Sequence, residues 1–176
     1  MPSTGSSAES SDSSAQRSPS RPQLRGEGMR SLLPMVKYSS AHTPEKLRHL
    51  VSLRASALND CRACITTHRR DARTDGWTEE RILRAEDWTN YSSCYDAEEI
   101  LVLRLTDAIT HIDGEESVPD ELWDSAVTAF GIDGTHAILV SILAINSFNR
   151  LSITTRTNPH AIKGTTEFDL DYSAHL

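Results

Sequence analysis

From about residue 28 onward, apolar side chains return every third or fourth position, and no stretch alternates apolar with polar in the manner of a half-buried strand. The pattern predicts helices throughout. "GMRSLLPMVKYSS" carries the first, with Pro34 either kinking it or sitting near its start. "TPEKLRHLVSLRASALND" reads as the second, with Thr43 as N-cap and Pro44 at the first helical position. Its Leu47, Leu50, Val51, Leu53 and Leu58 fall on one face, and Asn59-Asp60 is a natural stop because both residues tolerate the left-handed conformation. A third helix starts near Cys61 and ends before Gly76, a suitable residue just past a helix end.

"TEERILRAEDW" predicts a short fourth helix capped by Thr78. Its third helical residue is Arg81, so no capping box forms, but Glu79 and Glu80 suit the positive end of the helix dipole. Asp96 opens the amphipathic "DAEEILVLRLTDAITHI". Pro119 begins "PDELWDSAVTAF", and a last long helix carries "THAILVSILAINSFNRLSI". The expected fold is an all-α domain of about six to seven helices, spanning 24–158. A C-terminal extension, 159–176, is expected to be extended or loosely packed.

Composition adds a boundary at the other end. Residues 1–23 hold nine Ser and almost no large apolar side chains. Such a segment buries too little surface to offset its ordering entropy, so 1–23 reads as a disordered tail. The net charge of −7 lies in the body rather than in this tail, which argues against a nucleic-acid partner. The longest apolar run, "AILVSILAI" at 137–145, is too short to span a bilayer, and the start lacks an apolar signal core. The chain is therefore expected to be soluble and cytoplasmic, with no membrane partner. Three cysteines without an export signal do not make a disulfide scaffold.

The chemistry concentrates in "NDCRACITTHRRDAR", 59–73. Cys61, Cys64 and His68 stand at i, i+3 and i+7 and share one helical face. Both cysteines lie in or near the first turn, where free backbone N–H groups and the helix dipole favour a thiolate. Their separation also permits a reversible disulfide. His68, one turn beyond Cys64, can exchange a proton with it. Two other readings stay open at this level. The cysteines can be small buried side chains, or they can join His68 and one of His49, Cys94 or His111 around zinc, although no second compact ligand pair is visible.

"HLVSLRASALNDCRACITTHRRDAR" resembles the signature of the carboxymuconolactone decarboxylase superfamily, on its AhpD-like alkylhydroperoxidase branch. The similarity continues through "WTEERILRAEDW", "YDAEEILVLRLTDAIT", "VPDELWDSAV" and "ILAINSFNRL", and covers about 24–158. The resemblance implies an all-helical fold, assembly as a homo-oligomer (a trimer or a multiple of one), and thiol-dependent reduction of peroxides with no cofactor and no metal. It assigns Cys64 as the peroxidatic thiol, Cys61 as the resolving thiol and His68 to a proton relay. A lipoylated or thioredoxin-like protein would supply electrons as a dithiol. Dipole reasoning alone favours Cys61 as the more acidic thiol, so the division of roles comes from the family.

Two positions depart from that pattern. A relay glutamate is expected twelve residues before the first cysteine, where this chain has His49. Histidine titrates near neutrality and can pass a proton, but the swap changes charge and hydrogen bonding; a histidine partly exposed at its helix and unrelated to the chemistry fits the sequence equally. The histidine placed between the cysteines in well-known members is Ala63 here. The superfamily's lyase activity is a competing function, but it needs no cysteine pair; a non-enzymatic redox sensor or structural oligomer is a third. Asn146, Asn149 and Arg150 form a polar patch on the last helix, expected to brace the cysteine helix or a subunit contact. Trp88, Trp123 and Phe148 are expected in the core, and Cys94 in a loop.

Overall fold

The computed structural model describes residues 21–23 and 26–173; the expected disordered tail lies outside these, apart from its last three residues. Seven α-helices occur among the described residues: α1 Glu27–His42, α2 Glu45–Leu58, α3 Arg62–Thr74, α4 Glu79–Glu86, α5 Ala97–Thr110, α6 Asp120–Thr155 and α7 Glu167–Leu170. Short 3-10 turns at Trp88–Cys94, Glu115–Ser117 and Pro159–Ala161 link them, and the described residues contain no strand. The all-α expectation holds.

Local chemistry explains several helix ends. Thr78 accepts the Arg81 N–H at 3.2 Å and caps α4. Asp96 and Glu99 form a reciprocal capping box at the start of α5, with bonds of 2.8 and 3.0 Å. Asp60 ends the α2 segment in the left-handed region, at φ 48°. Two details differ from the sequence reading, and one open choice is resolved. Thr43 does not cap α2; its hydroxyl instead meets Ser141 Oγ of α6 at 2.9 Å, and Pro44 is the residue preceding the first turn. Pro34 lies inside α1. The two last helices are one element, α6, broken only at Gly131, whose φ of 68° and ψ of 170° suit glycine.

The core forms where α2, α5 and α6 meet. Leu50, Val51 and Leu53 of α2, Val102 and Leu103 of α5, and Ile142 of α6 are fully buried there. Ile82 of α4 closes one side. α6 is long and apolar enough to cross a membrane by length and composition. Its buried residues instead join the core with α2 and α5, and it packs along α1 as well. Trp88 is buried and donates to Asp107 at 3.0 Å, beside the bidentate Arg54–Asp107 pair. Trp123 and Phe148 are only half-buried, contrary to expectation.

The stretch after Pro159 is not loose. α7 packs on α3, and Asp169 is buried with its carboxylate 2.7 Å from Arg73. Arg69 of α3 donates to the carbonyls of Phe168 and Asp171, and Thr66 shares a hydrogen bond with the Tyr172 hydroxyl. These partners are distant in sequence, so helical periodicity gave no sign of them. At the other end, the Arg21 N–H donates to the Thr155 carbonyl at 2.8 Å, which ties residues 21–23 to the end of α6.

Candidate active site

Placement of the cysteines begins with the amides of α6. Asn149 donates to the Ala55 carbonyl at 3.1 Å and accepts from Ser56 at 3.3 Å. Asn146 accepts from Asn59 at 3.0 Å and from Arg150 at 2.9 Å, and donates to Thr110 at 3.0 Å. Asn146 and Asn149 thus hold the C-terminal end of α2, while Arg150 engages Asn146. This is the bracing role expected of the patch. It is exerted on the turn that feeds α3 rather than on α3 directly.

From that turn the Cys61 N–H donates to the Ser56 carbonyl at 3.0 Å, and the Cys61 carbonyl accepts the Ile65 N–H at 2.8 Å. Cys61 is the residue before α3, and Cys64 is its third residue. Backbone N–H groups in this first turn have no carbonyl one turn back to bond, so they favour negative charge on a nearby sulfur. Cys61 and Cys64 are joined in a disulfide, with Cα atoms 5.2 Å apart, and both are buried.

Only one of the two sulfur-bearing residues faces open space. Cys64 lines a cavity of about 430 Å³, and Cys61 does not. His49 and His68 line the same cavity, so three of the four candidate residues share its wall while Cys61 lies behind Cys64. Ser39 and Ser141, hydrogen-bonded at 2.6 Å, supply polar wall, and Ile145 and Phe148 supply apolar wall. Phe148 therefore belongs to the cavity rather than the core.

His68 follows Cys64 by one turn of α3. Burial, the largest influence, drives its pKa down to about 4; Asp71 opposes this, and His49 and Arg70 add to it. At neutral pH its ring is uncharged. His49 is buried at the cavity wall, which corrects the alternative of a partly exposed histidine. Its Nε2 lies 2.8 Å from Asp75 Oδ2, and its ring packs edge-on against Trp77 at 5.3 Å between centroids.

The sequence reading missed Asp75. A signal was present: Asp75 follows the last residue of α3, at the negative end of the helix dipole, where an anion needs a compensating partner. Glu45, His49 and Asp75 bring one donor atom each within 4.8 Å of one another. Asp75 already occupies His49 Nε2, and Arg48 stands 3.8 Å from Glu45, so the cluster is an ion-pair and hydrogen-bond network. Of the groups weighed as zinc ligands, Cys61 and Cys64 are bonded to each other and His49 Nε2 is taken by Asp75. The exposed Cys94 ends the turn Trp88–Cys94 and lines a separate cleft with Arg81 and Tyr95, and His111 is exposed at the end of α5.

A sequence profile of the carboxymuconolactone decarboxylase family matches residues 29–108. The uncharacterized protein YdfG of Bacillus subtilis (strain 168) is 35% identical over 132 residues, which cover 74% of this chain and 88% of that protein. A solved structure from Agrobacterium tumefaciens is also similar, with a TM-score of 0.69 and 30% identity over 75% of this chain and 90% of the other. That protein is of unknown function and is described as a candidate antioxidant defence protein, AhpD.

Proposed function

The chain belongs to the carboxymuconolactone decarboxylase family, on its AhpD-like branch, and from that membership we propose that it is a thiol-dependent peroxidase that cycles the Cys61–Cys64 pair between dithiol and disulfide. The placement of the sulfurs supports this reading most directly: Cys64 lines the cavity, and Cys61 stands behind it at bonding distance. In the reduced protein the Cys64 thiolate attacks the peroxide. An S–O bond forms, the O–O bond breaks, and the alcohol leaves with a proton. The Cys61 thiol then displaces water from the Cys64 sulfenic acid and closes the disulfide. A dithiol donor, lipoylated or thioredoxin-like, returns two electrons and two protons by thiol–disulfide exchange.

The cavity volume of about 430 Å³ exceeds what hydrogen peroxide needs and falls within the range typical of small-molecule sites. Organic hydroperoxides are accordingly the favoured substrates. We extend the reading to a homo-oligomer, a trimer or a multiple of one. Leu33 of α1 and Leu143 and Ile153 of α6 are exposed and supply apolar surface for it. Light scattering of the purified chain tests that part, and a monomer would contradict it.

The activity test supplies an organic hydroperoxide and a small dithiol to the reduced protein. Wild type is expected to turn over. Cys64→Ser is expected to fall to background, and Cys61→Ser to stop after one turnover with Cys64 as a trappable sulfenic acid. Activity that survives in Cys64→Ser would overturn the assignment. A wild type that forms the disulfide with peroxide but is never re-reduced by any dithiol would make the protein a sensor.

A further inference from the structure

We propose that Asp75 is a positioning residue which, through its hydrogen bond to His49, makes that histidine the proton acceptor for Cys64 where relatives use a carboxylate. The inference rests on the peroxidase reading and deepens it. The first ground is geometric. His49 Nε2 stands 2.8 Å from Asp75 Oδ2, and the ring is held by Trp77 and buried at the wall of the cavity that Cys64 also lines. A carboxylate oxygen in this contact is the acceptor, so Nε2 is the donor and Nδ1 is the ring's second nitrogen. Among the described residues the ring makes no other hydrogen bond. Nδ1 is thus the nitrogen left to take a proton.

The second ground is the choice between two histidines. From α2, Glu45 and Arg48 face this part of the cavity and pair with each other at 3.8 Å. From α3 and its end come His68, Asp71 and Asp75; α1 and α6 contribute serines and apolar side chains. His68 sits closer to Cys64 along α3, but burial disfavours its charged form. An acquired positive charge is better placed on His49, with a carboxylate in contact.

The step balances as follows. The Cys64 Sγ proton moves to His49 Nδ1, which leaves a thiolate and an imidazolium paired with Asp75. As the thiolate forms its S–O bond and the O–O bond breaks, the departing alkoxide takes that proton and the ring returns to neutral. Asp75 touches neither sulfur nor peroxide in this scheme.

The test compares Asp75→Asn with wild type, and repeats the substitution after His49→Glu. With His49 present, Asp75→Asn is expected to lower kcat by about 10- to 100-fold, the usual cost of losing an orienting partner, with little change in KM. In the His49→Glu background, the same substitution should cost nothing or help, since it removes a like charge. An unchanged kcat, or an equal loss in both backgrounds, would overturn the proposal.

A second measurement needs no peroxide: iodoacetamide alkylation of Cys64 in reduced Cys61→Ser/Cys94→Ser protein. Asp75→Asn is expected to slow it at pH 7. If wild type shows no turnover but alkylation still depends on Asp75, the peroxidase reading fails and the dyad stands. If turnover is robust and both measurements ignore Asp75, the dyad fails and the peroxidase reading stands.

Discussion

Helix α3 has two faces of opposite character. On one, Thr66, Arg69 and Arg73 are clasped by the C-terminal segment and by Glu86 of α4. On the other, Cys64, Thr67, His68 and Asp71 look into the cavity. The clasped face is densely bonded. Arg69 and Glu86 form a bidentate pair at 2.7 Å with essentially no solvent contact, and Arg69 also donates to two backbone carbonyls of the C-terminal segment. The cavity face holds groups available for change. The same thirteen-residue helix is therefore held from behind so that its front can present sulfur and imidazole in fixed positions. Rigidity and reactivity are divided by helix face rather than by region of the chain.

The largest expected effect tests the clasped face. Arg69→Ala leaves Glu86 buried without its main partner, and a loss of about 3–5 kcal/mol is expected from the urea unfolding midpoint. Should that variant fail to fold, the double change Arg69→Met with Glu86→Leu should restore part of the stability, because the two paired charges are removed together. A single-variant cost below about 1 kcal/mol would mean that this face does not anchor the helix.

The next effect belongs to the cavity face. His68 has a pKa of about 4 in the fold against 6.5 when unperturbed, so below pH 6.5 the unfolded chain binds the extra proton first. The stability from keeping this ring neutral is complete above about pH 6.5 and is lost as pH falls toward 4. Over that window it is worth on the order of 3 kcal/mol. Unfolding midpoints taken from pH 7.5 down to 4.5 should show the decline, and His68→Phe should flatten it. An equal slope in both proteins would place the acid sensitivity elsewhere.

The smallest effect returns to the clasp. Tyr172→Phe removes one hydroxyl that shares a hydrogen bond with Thr66 and should cost about 0.5–1.5 kcal/mol. Peroxide turnover should stay within about twofold, since the loss corresponds to one peripheral bond. A large fall in kcat with little loss of stability would show that the clasp tunes the cavity face directly.

What the sequence made legible was what is encoded locally. Leu50, Val51 and Leu53 announce the buried side of α2, Thr78 and Asp96 announce helix starts, and the spacing of Cys61, Cys64 and His68 announces a shared face. What stayed hidden depends on how helices cross. Arg69 reads as a charge on some other face until α4 brings Glu86 to it. Asp75 reads as part of a helix stop until α2 places His49 beside it. Phe148 looks like core because its apolar neighbours are core, yet it borders the cavity. Gly131 breaks α6 without separating its halves, which its neighbours do not reveal. The C-terminal segment carries few large apolar residues, and its order comes from polar bonds to α3 that no periodicity records.

The docking of residues 21–23 onto the end of α6 carries a practical consequence for handling the protein. Gln23 meets the Thr157 hydroxyl at 3.0 Å, and Thr157 itself borders the cavity. Residues 21–23 are thus held next to the cavity rim. Tyr172, by contrast, is bonded to Thr66 on the clasped side of α3. A probe fixed at Arg21 therefore sits beside the cavity, where it competes with incoming reagents, whereas one fixed at Tyr172 sits on the shielded side of α3.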